Sequence, residues 1–213
     1  MLILLTALVS GLVTGLGLII AIGAQNAYVL RLGISGPPRA VLLAVTICAV
    51  SDLVLIFAGV LGIGVLVEQV PVALVVLRVI GSGFLIVYGL LAARRAIRPK
   101  ALAVEDAPAT GIRLPGANLK TVALTAIAFT WLNPHVYLDT LLFLGSVANQ
   151  QPGDLRWVWA AGAMASSILW FFSLGFGARF LRPIFAKPMA WRVLDSIIAV
   201  IMIGLGLKLA IWG

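Results

Sequence analysis

The sequence predicts an all-α integral membrane protein with six transmembrane helices, arranged as a 3+3 inverted repeat with broken helices in spans one and four. Three observations support this: the composition, the length of the apolar runs and an internal repeat. Of the 213 residues, 62% are hydrophobic and 10% are charged, and the mean hydropathy is +1.17. A soluble domain carries roughly a quarter charged residues, so most of this surface must face lipid.

Six apolar runs are long enough to cross a bilayer, which takes roughly 20 apolar residues per helix. The first run has no basic segment before it and leads into Gly23-Ala24-Gln25-Asn26, so we expect a span and not a cleaved signal peptide. The predicted spans cover about 3–24, 40–64, 72–93, 119–147, 157–178 and 193–212.

The basic residues alternate along the chain. Lys and Arg follow spans one, three and five, whereas the loop between spans two and three has Glu68 as its one charged residue. Because basic loops stay in the cytoplasm, both termini should lie outside, and the net charge of +8 is mostly a topological signal. We expect no nucleic acid partner, because the basic linker mixes in Glu105 and Asp106 and has no aromatic residue for stacking.

The two halves of the chain resemble each other. At an offset of 115 positions, Ser51–Phe57 lies over Ser166–Phe172, and at an offset of 109, Gln25–Leu30 lies over Pro134–Asp139. Three spans per copy is an odd number, so the second copy must enter the membrane in the opposite sense, as in many secondary transporters. The predicted division is a first repeat at 1–93, a basic cytoplasmic linker at 94–120 and a second repeat at 121–213.

Span four contains an Asn-Pro pair within an apolar stretch. Proline breaks a helix, but Asn133 followed by Pro134 is a good start signal, an N-cap and then proline at the first helical position. We therefore expect the span to stop and restart there, directing free N–H groups at a carboxylate. The alternative is a proline kink that only shapes packing.

Span one has a related break at Gly23, followed by the carboxamides of Gln25 and Asn26. These carboxamides either bond neighbouring helices or bind a ligand. The ligand interpretation gains support because the two breaks occupy corresponding places in the two copies, which is the best sequence pointer to a transporter's binding site.

Two carboxylates lie at membrane depth. Asp52 is near the middle of span two, where a charge must face a wet cavity, find a partner or stay protonated. Asp139 lies one helical turn after His135, so it either pairs with that residue or faces the site. Asp195, Arg78 and Lys208 lie nearer span ends, and we expect them to snorkel to the interface.

Other residues limit the function. Gly11-x-x-x-Gly15 allows close helix packing, either within the bundle or between the protomers of a homodimer. Trp131 and Trp170 either pack the core or line a pocket. A single Cys, Cys48, and a single His offer no disulfide framework and no histidine cage, so we predict no metal and no cofactor. An enzyme is disfavoured because no nucleophile–base constellation is present.

These motifs resemble the LysE family of lysine and arginine exporters. The matching segments are Gln25-Asn26-Ala27, Ser51–Ile56 and above all Trp131–Thr140, which reads WLNPHVYLDT. The resemblance covers nearly the whole chain, with Ala24 standing where relatives usually carry proline. It implies export of L-lysine, L-arginine or both from a bacterial cytoplasm, and hence a place in the inner membrane.

The residues and the resemblance together suggest proton-coupled antiport. We predict that carboxamides and free N–H groups bind the substrate carboxylate, and that Asp52 and Asp139 bind its cationic groups and couple protons. The alternative is a channel-like facilitator or an exporter of another small cationic metabolite. The predicted substrate-binding residues are Gln25, Asn26, Asp52, Asn133, Pro134, His135, Tyr137 and Asp139.

Overall fold

The computed structural model describes residues 1–20, 23–62, 71–97, 118–133 and 136–212, and every regular element in these ranges is a helix. The predicted all-α class is therefore confirmed. A π-helical segment, Tyr137–Phe143, continues directly into the α-helix Leu144–Asn149, and two short 3-10 helices, Ala178–Leu181 and Ile184–Ala186, precede the last α-helix. The α-helices are α1 (Leu2–Ile19), α2 (Ala24–Ser35), α3 (Pro38–Val60), α4 (Pro71–Ile97), α5 (Leu119–Trp131), α6 (Leu144–Asn149), α7 (Leu155–Gly177) and α8 (Pro188–Trp212).

Within the described ranges, five helical stretches are long and apolar enough to span a bilayer, which makes the chain a multi-pass membrane protein. Large apolar side chains such as Val13, Val79 and Val200 remain exposed on these helices, as contact with lipid requires. The five stretches are Leu2–Ile19, Pro38–Val60, Val79–Ile97, Leu155–Leu181 and Pro188–Ile211.

The predicted fourth span, 119–147, is divided in the structure. Helix α5 has 13 residues and is too short to cross alone, and helix resumes at Val136 and continues through the π-helical segment and α6 to Asn149. The five long stretches overlap the other five predicted spans. That the divided stretch forms a sixth crossing, and that the helices form a 3+3 repeat, stay predictions.

The linker predicted at 94–120 lies largely outside the described residues. Helix α4 continues to Ile97, so Arg94 and Arg95 lie in its last turn, where their charge suits the negative end of the helix dipole. The next helix begins at Leu119 after Asn118, whose side chain accepts a hydrogen bond from the Lys120 backbone N–H and caps the helix.

Helices α1 and α7 run parallel in close contact. A methyl group added at Gly11 would overlap the Trp159 carbonyl, and one added at Gly162 would overlap the Leu8 carbonyl. At Gly15, further along both helices, an added methyl group would overlap the Ser166 hydroxyl and lie 3.2 Å from the Ala163 Cα. The Gly11-x-x-x-Gly15 pattern therefore packs within the bundle, because only glycine lets the two backbones approach this closely.

A second pair of glycine contacts has matching positions in the two halves. Gly33 of α2 lies against Gly175 of α7, and Gly145 of α6 lies against Gly59 of α3. In both cases a helix that follows a break packs against the next long helix of the opposite half. This correspondence is the one that a two-fold repeat would produce.

Helices α4 and α8 form an antiparallel pair. Gly89 approaches Ile203 while Gly206 approaches Ile86, so positions that rise along one helix fall along the other. The contact runs along most of both helices, and α8 also touches α2. Thus α4 and α8 form a unit beside the helices that carry the two breaks.

The expectation that Asp195 snorkels is wrong. Its side chain is only 3% exposed, and its Oδ1 pairs with Arg31 Nη1 and, at 3.2 Å, with Arg95 Nε. Two guanidinium groups compensate the cost of burying the carboxylate, which periodicity along α8 alone could not reveal. Lys208 is exposed, and the side chain of Arg78 lies outside what the structure describes.

Candidate functional site

A cavity of about 230 Å³ lies where the two broken stretches meet α3 and α7. This is well above the roughly 30 Å³ that one water occupies in the liquid, so a small organic ligand is a realistic occupant. The described residues that line it are Gly15, Leu18, Ile19, Gly23, Ala24, Gln25, Asn26, Asp52, Asn133, Val136, Asp139, Thr140, Leu144, Ser166, Ser167 and Leu205.

The break after α1 places a helix N-terminus at this cavity. Gly23, in extended conformation, precedes α2 and provides no capping side chain, and the Ala27 N–H makes the first hydrogen bond to the Gly23 carbonyl. The first turn of α2 therefore begins among the residues that line the cavity. This end of α2 presents N–H donors and a partial positive charge, both suited to an anion.

Hydrogen bonds hold the first break in place. Asn26 Nδ2 donates to the Ile19 carbonyl at 2.5 Å, and Trp170 Nε1 donates to Asn26 Oδ1 at 3.1 Å. The Asn26 carboxamide thus joins the end of α1 to α7. Trp170 acts here as a hydrogen-bond donor behind the cavity wall.

The second break begins where α5 ends at Trp131. Asn133 is buried and lines the cavity, and its carbonyl accepts a hydrogen bond from the Val136 N–H at 3.1 Å. Tyr137 Oη donates to the Trp131 carbonyl at 3.0 Å, which braces the break from outside the described cavity lining. Pro134 and His135 lie outside the described residues.

The two breaks are joined directly. Gln25 Nε2 donates to Thr130 Oγ1 at 3.0 Å, and Thr130 in turn donates to the Ala126 carbonyl within α5. All three groups are buried, so the link operates in a low-dielectric environment that strengthens it.

Asp52 is a buried carboxylate in the cavity wall, 4% exposed. Ser167 Oγ donates to Asp52 Oδ2 at 2.9 Å, and the neighbouring Ser51 Oγ accepts from Trp131 Nε1 at 3.1 Å. Asp139 lines the same cavity from the π-helical segment. Such segments interrupt regular helices and are frequent at functional sites.

The cavity is electrostatically one-sided. Among its described lining residues the ionisable groups are Asp52 and Asp139, with no Lys or Arg side chain. The two carboxylates favour a cation, and the N-terminus of α2 favours an anion. The arrangement suits a zwitterionic ligand with additional positive charge.

Of the predicted binding residues, five line the cavity together: Gln25, Asn26, Asp52, Asn133 and Asp139. Other groups that line the cavity or hydrogen-bond near it were not predicted from the sequence. The repeat offset of 115 placed Ser166 and Ser167 over Ser51 and Asp52, and this signal could have found them. The missed groups are Ser51, Thr130, Thr140, Ser166 and Ser167.

A multi-pass helical protein with a polar cavity at two broken helices has the form of a membrane transport protein. Comparison with known families identifies the transport family to which it belongs. The family model described as LysE type translocator matches residues 16–213, and the chain belongs to the LysE family. Members of this family export amino acids and are not enzymes.

Three relatives illustrate the family. A Mycobacterium tuberculosis protein, named provisionally as an amino-acid transporter, is 46% identical over 87% of each chain. The lysine exporter LysE of Corynebacterium diphtheriae is 36% identical over 91% of this chain and 94% of its own. The arginine exporter ArgO of Serratia proteamaculans is 36% identical over 97% of both. No solved structure matches the chain.

Proposed function

We propose that this chain exports L-arginine, L-lysine or both from a bacterial cytoplasm by proton antiport with alternating access. The observation that carries the proposal is the cavity at the two breaks, with two carboxylates on its wall and a helix N-terminus facing it. The names of the relatives, a lysine exporter and an arginine exporter, support the substrate class.

The proposed architecture is a six-span 3+3 inverted repeat in the inner membrane with both termini outside. Parallel packing of α1 with α7 and antiparallel packing of α4 with α8 fit that topology. Asp52 and Ser167 also support it, since they are 115 positions apart, the repeat offset, and hydrogen-bond to each other. Repeat counterparts can touch only near the axis that relates the repeats.

The cavity chemistry complements a basic amino acid. Such a molecule carries one carboxylate, an α-ammonium and a cationic side chain. In the proposed complex the N-terminus of α2, with Gln25, Asn26 and Asn133, binds the carboxylate, while Asp52 and Asp139 bind the two cationic groups. The motif residues Pro134, His135 and Tyr137 complete the proposed site.

Proton antiport follows from charge and energy. Expelling a monovalent cation against an inside-negative potential costs about 2.3 kcal/mol per 100 mV, and exchange for one proton cancels the net charge movement. A carboxylate that binds either a proton or the substrate cation, but not both, performs such an exchange. Asp52 is the proposed primary coupling group because it is the more deeply buried, with Asp139 as the second.

Flux through proteoliposomes tests the function. Vesicles loaded with labelled arginine or lysine receive an imposed proton gradient, with unlabelled amino acid outside in parallel samples. We expect saturable, gradient-stimulated efflux and counterflow. Efflux without saturation or counterflow would indicate a channel-like facilitator, and folded protein that moves neither amino acid would redirect the search to other cationic metabolites.

The coupling role of Asp52 has its own test. Asp52→Asn should abolish gradient-driven export, because an amide cannot exchange a proton for a cation. Asp154→Asn is the matched control, since Asp154 is exposed beside α7 and away from the cavity. Intact proton-driven export by the Asp52→Asn protein would rule out this residue as the coupling group.

A further inference from the structure

A second group of polar residues, one buried carboxylate and two partly buried arginines, lies away from the cavity. Asp195 of α8 pairs with Arg31 of α2 and Arg95 of α4, so one carboxylate joins three helices. Arg31 stacks over Trp191 at 5.1 Å, and Arg95 lies over Tyr88 at 5.4 Å. We call Arg31, Arg95 and Asp195 the ionic cluster. The ionic cluster has no assigned role in the proposed transport mechanism.

The ionic cluster lies on one side of the cavity. Arg31 follows the cavity residue Gln25 by six residues along α2, about 9 Å at ~1.5 Å per residue. Asp195 precedes the cavity residue Leu205 by ten residues along α8, about 15 Å at the same rise. Because α8 runs antiparallel to α4, both displacements point toward the C-terminal ends of α2 and α4. These ends adjoin the basic segments and so lie on the proposed cytoplasmic side.

An aromatic layer lies between the cavity and the ionic cluster. Phe129 of α5, in the turn before the second break, packs against Tyr28 of α2 at 5.2 Å between ring centroids. Phe84 and Tyr88 of α4 pack edge-on against the same ring at 4.8 and 4.7 Å. Phe129 is fully buried among these rings.

Both layers join the same two parts of the molecule. On one side are α2 and α5, which carry the breaks, and on the other is the antiparallel pair of α4 and α8. A path to the cavity through the ionic cluster and the rings would require this pair to separate from α2 and α5. The separation would break the Arg31–Asp195 pair and the ring contacts of Phe129.

The geometry points to a cytoplasmic gate: α4 and α8 swing as a unit against α2 and α5, and Asp195 is the latch that holds the gate closed in the structure described here. This inference rests on the proposed export function for its direction. The cluster also carries two positive charges against one negative charge, so a cationic substrate cannot pass it while it is closed. Export therefore needs the latch to open in every cycle.

Thiol labelling tests the gate without any transport measurement. The only cysteine, Cys48, is buried and is replaced by alanine, and a single cysteine is placed at the cavity residue Thr140. Inside-out vesicles are treated with a membrane-impermeant maleimide. Asp195→Asn should label about tenfold faster than the parent, because it shifts the population toward the open state. Asp154→Asn should label at the parent rate.

A second pair of variants guards against loss of folding. Arg31→Gln should also accelerate labelling, whereas Arg39→Gln, at an exposed arginine beyond the end of α2, should not. Parent-like labelling in folded Asp195→Asn or Arg31→Gln would overturn the gate, as would equal acceleration by the Arg39→Gln control. Because labelling needs no substrate, a failure of arginine and lysine export would leave this result readable, and the reverse also holds.

Discussion

The close contact between α1 and α7 makes a quantitative prediction at Gly11. A Cβ there would overlap the backbone carbonyl of Trp159 and lie 3.2 Å from the Ala163 backbone nitrogen. These are backbone atoms, so no side-chain rotation relieves the overlap and the helices must move apart. Overpacking of this kind costs about 1–3 kcal/mol. We expect Gly11→Ala to lower the free energy of unfolding by that amount, or Tm by about 2–12 °C.

Gly17 supplies the matched control on the same helix. A Cβ at Gly17 meets nothing within 4 Å, so the substitution adds no overlap. Replacing glycine by alanine inside a helix is itself worth about 0.5–1 kcal/mol, so Gly17→Ala should be neutral or stabilising. Thermal unfolding in one detergent, followed by tryptophan fluorescence, compares the two variants with the parent.

Two outcomes of these stability measurements would contradict the prediction. A Gly11→Ala protein that is no less stable than the parent would mean that α1 and α7 are not in backbone contact, and this packing would be refuted. Equal destabilisation by both would mean that the glycines serve the flexibility of α1 and not its packing. In either case the assignment of Gly11-x-x-x-Gly15 to the bundle interior would be lost.

Three further predictions concern the cavity and the second glycine contact. Ser167→Ala removes the donor to Asp52, a bond to a charged group worth about 1.5–3 kcal/mol, so the half-saturating arginine concentration should rise tenfold or more. Gln25→Ala removes the link between the breaks, about 1 kcal/mol, and should raise the same concentration about fivefold. Gly59→Ala would overlap the Leu141 carbonyl and should lower stability by about 1–3 kcal/mol.

Each of these has a control elsewhere in the chain. Ser146→Ala and Gln150→Ala alter exposed residues outside the cavity lining and should leave arginine flux unchanged. Gly83→Ala introduces no contact and should not destabilise the protein. Parent-like half-saturation in Ser167→Ala or Gln25→Ala would separate these hydrogen bonds from substrate binding. A Gly59→Ala protein as stable as Gly83→Ala would remove the close contact of α3 with α6.

Composition and local motifs were enough to predict a membrane protein and five of the residues that line its cavity. Apolar run length predicted the long helices, because a bilayer requires about 20 apolar residues per span. Asn133-Pro134 predicted the end of α5, because a proline cannot continue a helix and constrains the residue before it. Glycine and two carboxamides pointed to the other break, and α2 begins at Ala24 beside them.

Which polar groups meet depends on how distant helices pack against each other. Asp195 looked like a span-end residue because its partners, Arg31 and Arg95, are 164 and 100 positions away and belong to other helices. Ser167 looked like an ordinary small residue until α3 and α7 placed it on Asp52. Local sequence fixes which segments are helical through periodicity and backbone chemistry. The partner of a buried charge depends on helix packing between distant segments, and no local pattern encodes it.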